Sequence, residues 1–356
     1  MMTRAPPGAA AVRGLSMEAL LLTLAVAGLM AAALVARRRL PGGSRRRRRA
    51  WRSRGALGGR LDESTRGRRG ALELAGRRPR PAPGVSAVPG PVAFEVLPPT
   101  VPARPIVGHV PHASIEIPTR VRAGILLDDA ALAAELLRMT DRHTDRLYAW
   151  IRDLGGTLVV NRVSRLVVDP ERFPDDDAEP MAAVGQGAVY TRTSGGAALR
   201  EPDPAERARL MAHWYDPYHA AFGEVVGAML GTFGRCLVID GHSFATVPLP
   251  AEPDQAPVRP DVCLGTDPFH TPRTLVAGLQ SAFEAEGFRV AVDRPFSGTI
   301  VPRRWYGADA RVTSVMLEVR RGTYMDEATG EPLPGFDEVA TRMRRVVTAA
   351  VDAAWG

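Results

Sequence analysis

There is no lysine in this chain: all 46 of its basic residues are arginine. Cysteine is almost as scarce, with only Cys236 and Cys263 in 356 residues. Two cysteines without a CxxC spacing exclude a disulfide framework and a thiolate zinc site. Both fall in apolar runs that read as strands, as expected of buried thiols in a reducing compartment. The missing lysine, beside abundant Ala, Gly and Pro, points to GC-rich coding rather than to a functional choice. Positive charge is also lacking where a globular domain would carry it. Residues 1–105 hold 20 arginines against 5 acidic residues, whereas residues 106–356 hold 26 against 34. The globular part is acidic, so a nucleic-acid partner is not expected.

The basic excess sits in an N-terminal tail. Residues 19–36, ALLLTLAVAGLMAAALVA, carry no charge over 18 positions, at the short end of a bilayer span. Arg37–Arg39 and Arg45–Arg49 follow, and positive charge on that side would hold it in the cytoplasm. A cleaved signal fits less well, since its basic region should come first; a start of translation further downstream is the plainer alternative. The expected organisation is a tail at 1–18, a membrane anchor at 19–36, an Arg/Gly/Pro-rich linker at 37–90 and one domain at 91–356. That places a cytoplasmic catalytic domain on the inner face of the membrane. Oligomeric state leaves no trace in the sequence.

From about Pro91 short apolar runs alternate with helical periods. Strands are expected at 106–110, 157–160, 235–239, 289–292 and 314–319. Helices are expected at 128–153, 204–230, 272–286 and 336–354. Such alternation implies an α/β fold, a central sheet covered by helices on both faces. Active sites in such sheets gather at the carboxyl ends of strands. Four polar groups fall there: His112, the NRVSR run of Asn161–Arg165, the DGHS run of Asp240–Ser243, and Glu318.

His242 follows an apolar strand and an aspartate, placed to ligate a metal, with Asp240 beside it to orient a ring. His112 has the same setting. His109, three residues earlier, reads as part of its strand, and His143 as a charged helix surface. Two histidines and one carboxylate with an open position describe a catalytic zinc site. Three carboxylates compete for the third place. Glu116 follows His112 by four residues, but Pro118 argues against a shared helix; Asp141 and Asp145 are spaced i,i+4 on one face of the helix expected at 128–153, and either could point into the cleft. Glu318 suits a general base. Arg162 and Arg165, with Asn161, offer forks for a substrate carboxylate, or else ion pairs with Asp169 or Glu171. The loop RPFSGTIV, with Ser297 and Gly298, could close over a ligand.

In order, AFEVLPP, VPHASIEIP, DRHTDRLY, NRVSRLVVDP, IDGHS, DVCLGT, RPFSGTIV and LEVRRGTYMDE resemble the N-formylglutamate amidohydrolases, from about Pro91 to the C-terminus. The resemblance implies a fold like that of zinc carboxypeptidases, bound zinc, a glutamate base, and hydrolysis of an N-formyl amino acid. It implies His112 and His242 as ligands, Glu318 as the base and Arg321, the family's late arginine, as a substrate-binding residue. Asp145 ranks first as third ligand, with Asp141 and Glu116 behind. Gly241 stands where the family has cysteine, Ala113-Ser114 replaces Ser-Gly, and residues 184–208 look particular to a branch. These departures bear on the substrate: another N-acyl amino acid or a peptidoglycan peptide are the alternatives, as is a membrane-anchored binding protein without catalysis.

Overall fold

The structure, a computed structural model, describes residues 93–355; the expected anchor and linker lie outside the described residues. Among the described residues no helix is long and apolar enough to cross a membrane. The short apolar runs become seven strands: β1 (Phe94–Leu97), β2 (Ile106–Val110), β3 (Thr157–Asn161), β4 (Cys236–Phe244), β5 (Val262–Gly265), β6 (Val290–Val292) and β7 (Val312–Arg320). They form one mixed sheet in the order β1-β3-β2-β4-β7-β5-β6. The central four, β3, β2, β4 and β7, are mutually parallel, while β1 and β5 run against their neighbours β3 and β7.

The helices are α1 (Thr119–Arg122), α2 (Asp129–Met139), α3 (Thr144–Leu147), α4 (Pro204–Leu210), α5 (Asp216–Phe233), α6 (Arg273–Ala285) and α7 (Phe336–Trp355). A π-helical turn, Met211–Tyr215, joins α4 to α5. One face of the sheet packs Ile106, Leu237, Ile239, Val315 and Leu317 against α6 and α7. The other packs Val107, Cys236 and Val238 against Tyr218, Phe222 and Val226 of α5. Because side chains alternate between faces, His109, Asp240, His242 and Glu318 all emerge on the α5 side.

Two expectations change. The helix expected over 128–153 is broken into α2, α3 and a 3-10 segment, Ala149–Leu154. Thr140 is extended and His143 sits at φ 67°, in the left-handed region that ends helices. The strand expected to stop at 239 runs on through Gly241 to Phe244, paired with β7 throughout. Asp240 and His242 are therefore strand residues rather than turn residues. Gly241 faces the other side, where a Cβ would come 2.8 Å from the Tyr148 ring. Cys236 and Cys263 are free and buried, as expected.

Candidate active site and metal centre

The chain leaves β2 for β3 on one side and returns to β4 on the other, so the strand order reverses between β2 and β4. A crevice opens at such a point beyond the carboxyl ends of the strands. His112 lies two residues past β2. Asp141 reaches it because the helix breaks at Thr140: the Asp141 N–H donates to the His112 carbonyl at 3.0 Å. His242 comes from β4 and faces Glu318 of β7 in the parallel register.

His112 Nε2 lies 2.8 Å from Asp169 Oδ1, and His242 Nε2 lies 2.9 Å from Asp240 Oδ1. A carboxylate only accepts, so both Nε2 atoms carry a proton, and with an ion bound each Nδ1 would offer its lone pair to it. The two Nδ1 atoms converge on Asp141 Oδ2, at 3.5 Å from His112 and 3.3 Å from His242. Asp141 Oδ1 is held by Arg321 at 2.8 Å. Ligand atoms about 2.0–2.1 Å from a tetrahedral ion stand about 3.3 Å apart. The three groups thus meet at the spacing of a metal site, and His112 Nδ1 is buried without a hydrogen-bond partner among the described residues. The far side of each is clamped by Asp169, Asp240 or Arg321, the support that orients metal ligands and fixes their tautomers.

Burial disfavours charge here, but opposite partners outweigh it. Burial alone would raise the Asp141 carboxyl, yet His112, His242 and Arg321 hold it well below its usual range. Burial would lower His242, yet Asp240, Asp141 and Glu171 raise it well above an ordinary histidine. Without an ion, a proton on His242 balances these carboxylates; an ion between Asp141 and the two rings would take its place. Glu318 is the exception. Burial pushes it up to about 8, the His242 ring opposing and Asp141 adding to the rise. Its Oε2 has no hydrogen-bond partner among the described residues. Neither Arg320 nor Arg321 pairs with it: Arg320 bonds Asp261 and Arg321 bonds Asp141.

The other expected residues divide. Asp145 is not beside the histidines; 30 % exposed, it pairs with Arg162, which also binds Glu95. The i,i+4 spacing that ranked it with Asp141 assumed a continuous helix, and the break at Thr140–His143 removes that premise. Glu116 is exposed and belongs to neither cluster of ligand atoms among the described residues. Asn161 donates to the Pro111 and Val163 carbonyls, bracing the ends of β2 and β3. Arg165 grips Asp169 through two N–H groups and so acts behind His112, the ion pair that NRVSR left open. Ser297 is exposed and Gly298 half-buried in a loop whose Ile300 N–H donates to Asp240 Oδ2 at 3.1 Å. His143 donates to, or accepts from, nothing in the site; its Nε2 lies 2.8 Å from the Gly330 carbonyl.

Three residues were missed as site members. Glu171 is within 3.1 Å of His109 and 3.5 Å of His242. Asp169 backs His112, and Tyr190, from the stretch 184–208, donates to Asp169 Oδ2 at 2.5 Å. That stretch therefore turns at least one side chain inward. The reading of His109 as an ordinary strand residue also changes, since its ring joins Asp240 and Glu171. The signal available was two-residue alternation along β2, which puts His109 on the same face as the site.

A mixed α/β sheet with buried histidines, carboxylates and an ionisable glutamate at its switch point defines a hydrolytic enzyme. The chain matches the family profile described as N-formylglutamate amidohydrolase over residues 104–325. It is 30% identical to an N-formylglutamate deformylase of Pseudomonas aeruginosa, over 71% of this chain and 94% of that protein. The Pseudomonas putida deformylase gives 30% identity over 71% and 93%. The crystal structure of an N-formylglutamate amidohydrolase from Ralstonia eutropha JMP134 superposes with a TM-score of 0.65 at 25% identity, over 74% of this chain and all of that one. The protein belongs to the N-formylglutamate amidohydrolase family, and is an enzyme acting on linear amide bonds.

Proposed function

We propose that the protein is a zinc-dependent hydrolase of N-formyl amino acids, N-formyl-L-glutamate first, releasing formate and the free amino acid. The observation that carries the zinc is the meeting of His112 Nδ1, His242 Nδ1 and Asp141 Oδ2, with Asp141 Oδ2 at 3.5 Å and 3.3 Å from the two nitrogens and each group clamped from behind. Imidazole and carboxylate donors with no thiolate suit zinc, with a fourth position open. The substrate rests on the family and on the names of the Pseudomonas relatives. The proposal keeps the catalytic domain on the cytoplasmic side, on the strength of the arginines that follow residue 36.

When bound, the ion lowers the pKa of a water and polarises the acyl oxygen. Glu318 then takes a proton from the attacking water and returns it to the departing amine nitrogen. Its raised proton affinity suits both halves of that transfer. For the substrate's carboxylate the assignment shifts from Arg162, Arg165 and Arg321, whose forks are engaged, the last by Asp141 and Ser243, to Arg172. That guanidinium lies 3.7 Å from Asp169, and its Nε has no hydrogen-bond partner among the described residues.

Zinc-loaded protein assayed on N-formyl, N-acetyl and N-succinyl amino acids tests the substrate. Glu318→Gln tests the chemistry: it should keep its zinc and lose about 10²- to 10⁴-fold in kcat. A variant with unchanged turnover removes Glu318 from the mechanism.

A further inference from the structure

One fully buried histidine is left without a task in this scheme. His109 stands opposite Asp240 in the β2–β4 ladder. Its Nδ1 lies 2.9 Å from Asp240 Oδ1 and 3.1 Å from Glu171 Oε1. Both partners only accept, so Nδ1 carries the proton and donates. The ring is packed on Phe222, with centroids 4.8 Å apart, and on Tyr218 at 5.6 Å, so α5 fixes its direction.

We infer that His109 is a positioning residue for the metal centre, acting through Asp240 on His242; this rests on His242 being a ligand. Asp240 is wholly buried, and three donors define where its carboxylate sits: His242 Nε2 and His109 Nδ1 on Oδ1, the Ile300 N–H on Oδ2. Taking His109 away leaves a buried carboxylate short of a donor, which costs more than the lost bond alone. It also removes the ion-pair contact that draws Glu171 Oε1 away from His242 Nε2, 3.5 Å distant, and lets it compete with Asp240 for that proton. His109 holds Asp240 by a hydrogen bond and stands in ion-pair contact with Glu171, and so keeps the His242 ring aimed at Asp141. A cation among His109, Glu171, Asp240 and His242 is the rival chemistry, since their ligand atoms also cluster. It would require His242 to give up its Nε2 proton while Nδ1 serves the first ion.

Zinc content, and zinc affinity by competition with a chromophoric chelator, are measured on the full chain as wild type, His109→Asn and His109→Gln. The asparagine amide nitrogen falls near the position of Nδ1 and still reaches Asp240; the glutamine nitrogen lies one bond too far. One zinc per chain is expected in all three, with affinity within about threefold of wild type for Asn and about 10- to 100-fold weaker for Gln. Melting temperatures in chelator should be alike for the two variants, since the difference between them lies in the ion. Gln binding zinc as tightly as wild type ends the role of His109. Equal losses in Asn and Gln also end it, because packing alone would then explain both. Two zinc ions in wild type, one lost in His109→Gln, replace the role with a second cation site. A wild type that binds no zinc overturns the ligand assignment itself, and the inference with it.

Discussion

Asp141 and Asp145 are four residues apart, and each faces an arginine. Asp141 is almost fully buried, bonded to Arg321 and turned toward two histidines. Asp145 sits at 30 % exposure, bonded to Arg162 and outside the cluster that holds the two rings. Sequence spacing makes the two equivalent; backbone conformation separates them. A helix through both would set them on one face, whereas extended Thr140 and left-handed His143 turn the first inward and leave the second on the rim. An aspartate–arginine pair thus holds the proposed metal ligand in one place and makes a surface contact in the other, where such pairs contribute little.

The comparison breaks most directly by removing each carboxylate in turn. Asp141→Ala should lower zinc affinity by more than about 100-fold, beyond what losing a supporting group costs, and abolish turnover with it. Asp145→Ala should leave zinc content and kcat unchanged. Isothermal titration with zinc on both variants decides it; loss of zinc from Asp145→Ala would restore the ranking that the sequence suggested.

A smaller effect should come from the turn that separates them. His143 holds φ 67°, where a β-branched side chain is strained by about 1–2 kcal/mol. His143→Val should lower the melting temperature by about 2–8 °C and weaken zinc binding, because relief of the strain moves Asp141. His143→Gly, at ease in that region, should bind zinc as wild type does. If valine melts lower but binds zinc equally well, the turn does not position Asp141.

The same contrast shows how much of the site could be read in advance. His112, His242 and Glu318 were legible because each ends or closes an apolar run, and strand alternation then fixes the face they share. Most strand positions followed the apolar runs for the same reason. Asp141 was visible only as one of a pair, since a single left-handed residue carries no periodic signal. Glu171, Asp169 and Tyr190 lie in irregular chain between β3 and α4, where side-chain direction depends on tertiary contacts. Arg162 and Arg165 were read as substrate forks because guanidinium chemistry is the same whether its carboxylate belongs to a ligand or to the protein. The expected membrane anchor, residues 19–36, lies outside the described residues.

The least effect should come from the rim pair itself. Arg162 and Asp145 are each about a third exposed, and Arg162 also binds Glu95. A double-mutant cycle of Arg162→Ala and Asp145→Ala should give a coupling of about 0.2–1 kcal/mol in stability. If that pair is only a surface contact, KM for an N-formyl amino acid stays the same in all three variants. If Arg162 instead leaves Asp145 to grip a substrate carboxylate, Arg162→Ala raises KM sharply while Asp145→Ala lowers it, by freeing the guanidinium. Opposite changes in KM from two partners of one ion pair would move Arg162 from the rim into the binding site. Equal KM values would leave Arg172 as the arginine to pursue.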